Sequence, residues 1–260
     1  MVISSFIRNF ATLKNETMIY ELRKYPTLVI HVERFTERAA SIERQMKAAG
    51  MYFTYILKGD VEEIDDAVLS RYFKDGRDNM YRATPITSCA LKHLYAYEHI
   101  LDKDLPGALI LEDDAILDKD FRKKFDQSMK EYEDRWASEP VIISYENSAL
   151  VFVPRSQRKA GQMLYPGDKD RYAGAYFINR KAAEAILNDV KENRCELAID
   201  GYHNYLLHKG VIKYLWCHPT IVQQGTVIGQ FSSSLSADDL LQKLRWKLKL
   251  GYKCLLYYFR

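Results

Sequence analysis

The chain has 260 residues, with 38 Lys and Arg against 35 Asp and Glu, a net charge of +3. Hydrophobic residues at 47% and charged residues at 28% are ordinary globular composition and exclude collagen-like, low-complexity and disordered classes. So small a net charge supplies no broad basic field, and no nucleic-acid partner is expected. The 19 Tyr residues are rings of the kind used at carbohydrate sites and membrane interfaces. Cys89, Cys195, Cys217 and Cys254 form no CxxC pair, so neither a zinc site nor a redox pair is expected, and a reduced, cytoplasmic compartment is the simplest reading. No apolar run is long enough to span a membrane, and Arg8 interrupts what would be a signal-peptide core.

Residues 1–26 read as a helical lead-in that ends at Pro26. Thr27–Val32 is a β-branched, apolar strand suited to a parallel sheet. A helix from Glu37 stops at Gly50, and a second strand follows at Phe53–Leu57. This β-α-β opening predicts an α/β fold. Further helices are expected near Ile64–Phe73 and over Ile86–Leu101, the second led in by Thr84-Pro85. The strand Ala108–Leu111 runs directly into Glu112-Asp113-Asp114, and a charged helix covers Lys119–Arg135. A strand at Val141–Tyr145 precedes a long polar stretch, 146–170, read as a flexible substrate loop. Then come a strand at Gly174–Ile178, a helix capped by Asn179, a helix near Tyr202–His208 and a strand at Ile212–Trp216. A Ser-rich segment, Ser232–Ser236, separates one domain, 27–235, from a tail, 236–260.

The three acids after the apolar strand are the strongest chemical signal. Ligands of open α/β sheets bind at the carboxyl ends of strands. Alternation places Glu112 and Asp114 on one side and Asp113 on the other. Clustered carboxylates repel, and Mn²⁺ or Mg²⁺ relieves that repulsion and offsets charge on a diphosphate. An exposed acidic turn is the alternative reading of the same residues.

The segments Val29-Ile30 with Arg34 and Arg38, Cys89 with His93, Glu112-Asp113-Asp114, Gly174–Ile178, Asp200, and Pro219 with Gln223 occur in order. Together they resemble glycosyltransferase family 25, the family of bacterial lipooligosaccharide transferases and collagen galactosyltransferase-related domains. The resemblance runs over roughly residues 27–235. It departs at His31, where the family usually has Asn, and at Lys92, where it usually has Ser. It implies a GT-A-like (Rossmann-like) single domain with a mostly parallel sheet. It also implies inversion at the anomeric carbon, with a UDP-hexose donor (galactose or glucose) and a saccharide acceptor, as in lipooligosaccharide assembly.

On that resemblance the metal set is Glu112, Asp113 and Asp114, with His218 as an added contact. Asp200 is the expected general base and Asp170 its alternate. The donor-binding set is Ile30, His31, Arg34, Arg38 and His93; the arginine forks suit a diphosphate. Tyr172 and Tyr176 are candidates for stacking on the acceptor, with core filling as the other reading. Packing is the simpler role for Cys89. A metal-dependent phosphohydrolase, or a catalytically silent sugar-binding relative, would carry the same acidic cluster. In residues 240–260 six cations and no acid flank Leu241, Leu244, Leu248, Tyr252, Leu255 and Phe259, which share one helical face. That pattern predicts a basic amphipathic helix on an anionic membrane surface, where a lipid-linked acceptor would be presented, at the inner face of the cytoplasmic membrane.

Overall fold

The structure is a computed structural model that describes residues 24–231, 248–253, 255, 256 and 259. The expected lead-in helix and most of the tail lie outside the described residues. Nine strands are described: β1 Thr27–Ile30, β2 Thr54–Ile56, β3 Gly107–Glu112, β4 Ala115–Leu117, β5 Val141–Ser144, β6 Leu164–Pro166, β7 Ala175–Asn179, β8 Lys213–Cys217 and β9 Val222–Gln224. The helices are α1 Thr36–Ala48, α2 Asp66–Tyr72, α3 Pro85–Asp102, α4 Phe121–Arg135, α5 Arg180–Asn193, α6 Ile199–His208 and the single turn α7 Gly225–Ile228.

Seven strands form one sheet in the order β2-β1-β3-β7-β5-β8-β6. β1 pairs in parallel with β2 and β3, and β5 with β8. β7 lies antiparallel between β3 and β5, and β6 is antiparallel to β8 at the edge. Five strands therefore point one way, and β7 and β6 run against them. The mostly parallel α/β domain expected from the sequence is what forms. Among the described residues no helix is long and apolar enough to cross a membrane.

Strand alternation divides the core into two layers. Leu28, Ile30, Ile110, Tyr176 and Ile178 face α3, α5 and α6, together with Leu91, Leu94, Ile186 and Leu206. Val29, Leu109, Leu111, Ile143 and Phe177 face α1 and α4, with Ile42, Met46, Phe125 and Met129. Both faces of the sheet are thus covered, which is why its strands read as unbroken apolar runs. Local signals stop and start the helices. Thr84 caps α3 ahead of Pro85, and Gly50 at φ +61° ends α1. The Asn179 side chain accepts from Ala182 N at 3.0 Å to start α5.

Register fixes the site. Ile30 pairs with Glu112, so β1 and β3 end side by side. Leu111 pairs with Ala175, so the reversed β7 begins where β3 ends and brings Tyr172 and Gly174 there. The ribbon of β4 and β9 pairs Ala115 with Gln224 and folds residues 224–227 over the acids.

The stretch 146–170 differs from the flexible loop expected. Leu150, Val153, Met163, Leu164 and Tyr165 are buried, and β6 joins the sheet edge. Its apolar residues are too widely spaced to read as an element, yet they pack as core.

Candidate active site

A cavity of about 430 Å³ opens at the carboxyl ends of β1 and β3. β1 contributes Ile30 and, just beyond its end, His31; α1 and the turn before it contribute Arg34 and Arg38. α3 contributes Cys89 and Lys92, and β3 and the turn after it contribute the three acids. Tyr172, Gln224 and Thr226 complete the wall.

The three acids have different surroundings. Asp113 turns toward β1 and α1. Its Oδ2 lies 2.7 Å from His31 Nδ1, and its Oδ1 accepts from Arg38 at 3.2 Å. Asp114 turns the other way, where its Oδ2 accepts from Thr226 Oγ1 at 2.6 Å and Thr226 N at 3.1 Å. Its Oδ1 is buried without a hydrogen-bond partner. Burial, and then the charge of Glu112, push the Asp114 carboxyl up to about 6, against the pull of the Thr226 hydrogen bonds and Arg38. Glu112 Oε2 accepts from Gln224 Nε2 at 3.3 Å, while Oε1 faces Cys89 Sγ at 3.7 Å and His93 Nε2 at 3.5 Å.

This arrangement bears on the divalent cation that the family implies. Glu112 and Asp114 repel each other, and Asp114 has an orphaned buried oxygen, so these two fit a dication. Asp113 does not fit: its oxygens are held by the His31 ring and the Arg38 guanidinium, whereas those of Glu112 meet a neutral amide and, at 3.7 Å, a thiol. The expected three-acid metal set reduces to two, because alternation sends the middle acid to the opposite side.

The other expected site residues divide into those on the cavity and those off it. His31 is buried, and its ring packs against Tyr55 at 4.8 Å. Arg38 stacks on Phe35 at 4.4 Å, so its guanidinium is oriented as well as paired. Arg34 is more exposed and reaches Glu62 at 3.5 Å. Tyr172 stands at the mouth, 44% exposed, at φ +83°. Asp200, in the first turn of α6, is partly buried; burial, followed by the charge of Asp170, raises its carboxyl above the usual carboxylate range. It does not itself line the cavity, but its charge raises the Tyr172 and Cys89 groups, which do.

Four expectations are corrected by placement, those for Tyr176, Asp170, His218 and His93. Tyr176 is completely buried in β7, so it fills the core and does not meet an acceptor. Asp170 is buried too, held by His203 Nδ1 at 2.7 Å and not on the cavity wall. His218 lies away from the acids, near Tyr165, where burial, Arg158 and Arg171 lower its imidazole to about 4. Two cationic neighbours are a poor setting for a metal ligand.

Behind the wall runs a buried chain of polar groups. Asp170 meets His203 Nδ1, whose Nε2 lies 2.8 Å from the Tyr97 hydroxyl. Tyr97 lies 2.5 Å from the Tyr176 hydroxyl, which lies 2.8 Å from His93 Nδ1. His93 Nε2 then faces Glu112. His93 is therefore behind the cavity and not on it.

Several functional positions escaped the sequence reading. Gln224 and Thr226 hold Glu112 and Asp114 from a segment more than a hundred residues away. The signal that marks them is glycine. A Cβ on Gly225 would sit 2.8 Å from the Asp114 carbonyl oxygen, and one on Gly174 would sit 2.5 Å from the Gln224 side chain. Lys92, by contrast, stands out in the sequence as a departure from the family pattern at the donor pocket; it lines the cavity, is buried in α3, pairs with Asp60 at 2.9 Å and bonds the Leu57 carbonyl. Glu146 is fully buried, accepts from Gly174 N at 2.7 Å and Ser148 Oγ at 2.5 Å, and has its carboxyl raised well up by burial.

Fold and cavity together define an α/β enzyme with a carboxylate-lined pocket at its strand ends. The profile of glycosyltransferase family 25 (LPS biosynthesis protein) matches residues 24–202. The chain belongs to that family, and it is a glycosyltransferase. Among curated proteins, none matches it. One solved structure, a glycosyltransferase involved in the glycosylation of the major capsid of PBCV-1, is 11% identical, with a TM-score of 0.39 over 76% of this chain and 94% of that one. Another, a putative glucose-1-phosphate thymidylyltransferase from Bacillus anthracis in complex with a sucrose, is 14% identical, with a TM-score of 0.37 over 86% and 75%. Likeness at that level carries no argument about activity.

Proposed function

We propose that this glycosyltransferase moves a hexose from a UDP-sugar to a saccharide acceptor, with inversion, in the assembly of lipopolysaccharide or lipooligosaccharide. The observation that carries the reading is the convergence of Glu112 and Asp114 on one cavity, with one Asp114 oxygen orphaned. Carboxylates so placed suit a cation-bound diphosphate at the ends of parallel strands. The family supplies the sugar-transfer chemistry; the UDP-hexose donor follows from the resemblance.

Each residue then has a task. Arg38, held by Asp113 and stacked on Phe35, presents its guanidinium to the diphosphate, with Arg34 nearer solvent. His31 and Ile30 form the floor beneath the donor. Glu112 and Asp114 would hold a divalent cation, Mn²⁺ or Mg²⁺, which would supply charge stabilisation to the diphosphate leaving group. Asp200 takes the proton of the acceptor hydroxyl as its oxygen bonds to the anomeric carbon and the bond to the diphosphate breaks. A raised carboxyl at Asp200 suits that role, because it is a stronger base than an ordinary aspartate. Tyr172, exposed at the mouth, is the surface on which an acceptor sugar stacks.

The tail adds location. Residues 248–253 are helical, and Leu248, Tyr252, Leu255 and Phe259 are 60–79% exposed beside Lys249 and Lys253. An anionic bilayer would cover those side chains and present a lipid-linked acceptor to the cavity. The test is donor binding. UDP-galactose or UDP-glucose with Mn²⁺ should raise the melting temperature, while UDP-sugar with chelator should not. Equal stabilisation by simple phosphate esters would contradict the reading.

A further inference from the structure

The absence of a CxxC pair argued against a zinc site, but the fold assembles a different ligand set. Cys89 and His93 are four residues apart on α3, so they share one helical face. β3 brings Glu112 against that face. Among the described residues this is the set of three Cys, His, Asp or Glu side chains whose ligand atoms all lie within 4.8 Å of one another.

Two observations indicate a cation there. The first is spacing. A tetrahedral zinc with ordinary bond lengths separates a nitrogen from an oxygen ligand by about 3.3 Å and a sulfur from an oxygen by about 3.5 Å. The corresponding distances to Glu112 Oε1 are 3.5 Å from His93 Nε2 and 3.7 Å from Cys89 Sγ. The second is an orphan: His93 Nε2 is wholly buried, aimed at this cluster, and has no hydrogen-bond partner. A dication held between this nitrogen and the Glu112 carboxylate would satisfy both. Second partners already orient the ligands: Tyr176 holds the far nitrogen of His93, and Gln224 holds the far oxygen of Glu112.

We propose that Cys89, His93 and Glu112 form a zinc site whose fourth position opens into the cavity and which shares Glu112 with the cation pair Glu112–Asp114. Cys89 and Glu112 both line the cavity, so that fourth position is reachable by water or by a ligand oxygen. Binding displaces the thiol proton to solvent, and the thiolate and carboxylate together neutralise the dication. The mixed sulfur, nitrogen and oxygen set selects zinc over magnesium. The proposal does not depend on the donor or on the sugar-transfer reading.

Cobalt(II) titration of the metal-free full-length protein tests it. Wild type should bind one equivalent with a thiolate-to-cobalt charge-transfer band and intense tetrahedral visible bands, and zinc should bleach both. Asp114→Asn should keep the signal. Cys89→Ser, with an unchanged metal-free melting temperature, should lose the charge-transfer band and bind at least about tenfold more weakly. The control also separates Cys89 from the other three cysteines. No charge-transfer band in wild type, or one that survives in Cys89→Ser, overturns the proposal. Manganese binding lost in Asp114→Asn without any cobalt–thiolate band would overturn it while leaving the sugar-transfer reading intact.

Discussion

Asp113 and Asp114 are adjacent, yet one braces Arg38 and the other keeps an oxygen for the cavity. Asp114→Asn should therefore lower metal-dependent transfer by about a hundredfold or more while leaving the melting temperature close to wild type. Steady-state kinetics with saturating Mn²⁺ would show it. Tyr176→Phe tests the opposite claim. It removes a buried hydroxyl from the chain between His93 and Tyr97, which should cost about 1–3 kcal/mol of stability in denaturant titration. It should leave the acceptor KM unchanged, because Tyr176 does not reach the cavity. His218 supplies a pH test. Burial, Arg158 and Arg171 lower its imidazole from 6.5 to about 4, so the unfolded chain binds the proton more readily than the folded one. Its contribution is present above about pH 6.5 and is lost as pH falls toward 4. His218→Gln should flatten the fall in melting temperature between about pH 7.5 and about pH 4.5, with transfer activity retained. At this scale the sequence showed which side each acid takes, because period two is local. It could not show what stands behind each side. Tyr176 and Tyr172 read alike in sequence, and only the reversed β7 makes one core and the other surface.

Elements carry the site through close approaches. α7 and β9 close over the acids because Gly225 and Gly174 leave no Cβ in the way. Gly225→Ala would press on the Asp114 carbonyl and the Phe231 ring, so it should destabilise the protein by about 1–3 kcal/mol and lower transfer more than a distant surface change. Melting and rate measurements on the same preparation check both parts. The strands β1, β3 and β7 and the helices α1, α3 and α5 were legible, since apolar runs and caps at Thr84 and Asn179 announce them. β4 and β9 were not: each is three residues long, and they form a ribbon only because each meets the other across a long separation. β6 was missed for a related reason, as Leu164–Pro166 includes a proline tolerated only at a sheet edge.

At the scale of the whole molecule, the net charge of +3 joins two unlike parts. The six cations of residues 240–260 leave the rest of the chain at −3, so an acidic catalytic body carries a basic tail. Removing residues 240–260 should preserve transfer to a soluble saccharide and weaken flotation with anionic vesicles, most visibly at low salt. The central claim is that Glu112 and Asp114 serve sugar transfer from a nucleotide donor. Its most direct measurement is NMR of UDP-hexose incubated with the protein, Mn²⁺ and a saccharide acceptor. UDP release and a new glycosidic anomeric signal of opposite configuration to the donor are expected, with loss of both in chelator or in Asp114→Asn. Full turnover in chelator or in the Asp114→Asn variant, or retained configuration in the product, would contradict it.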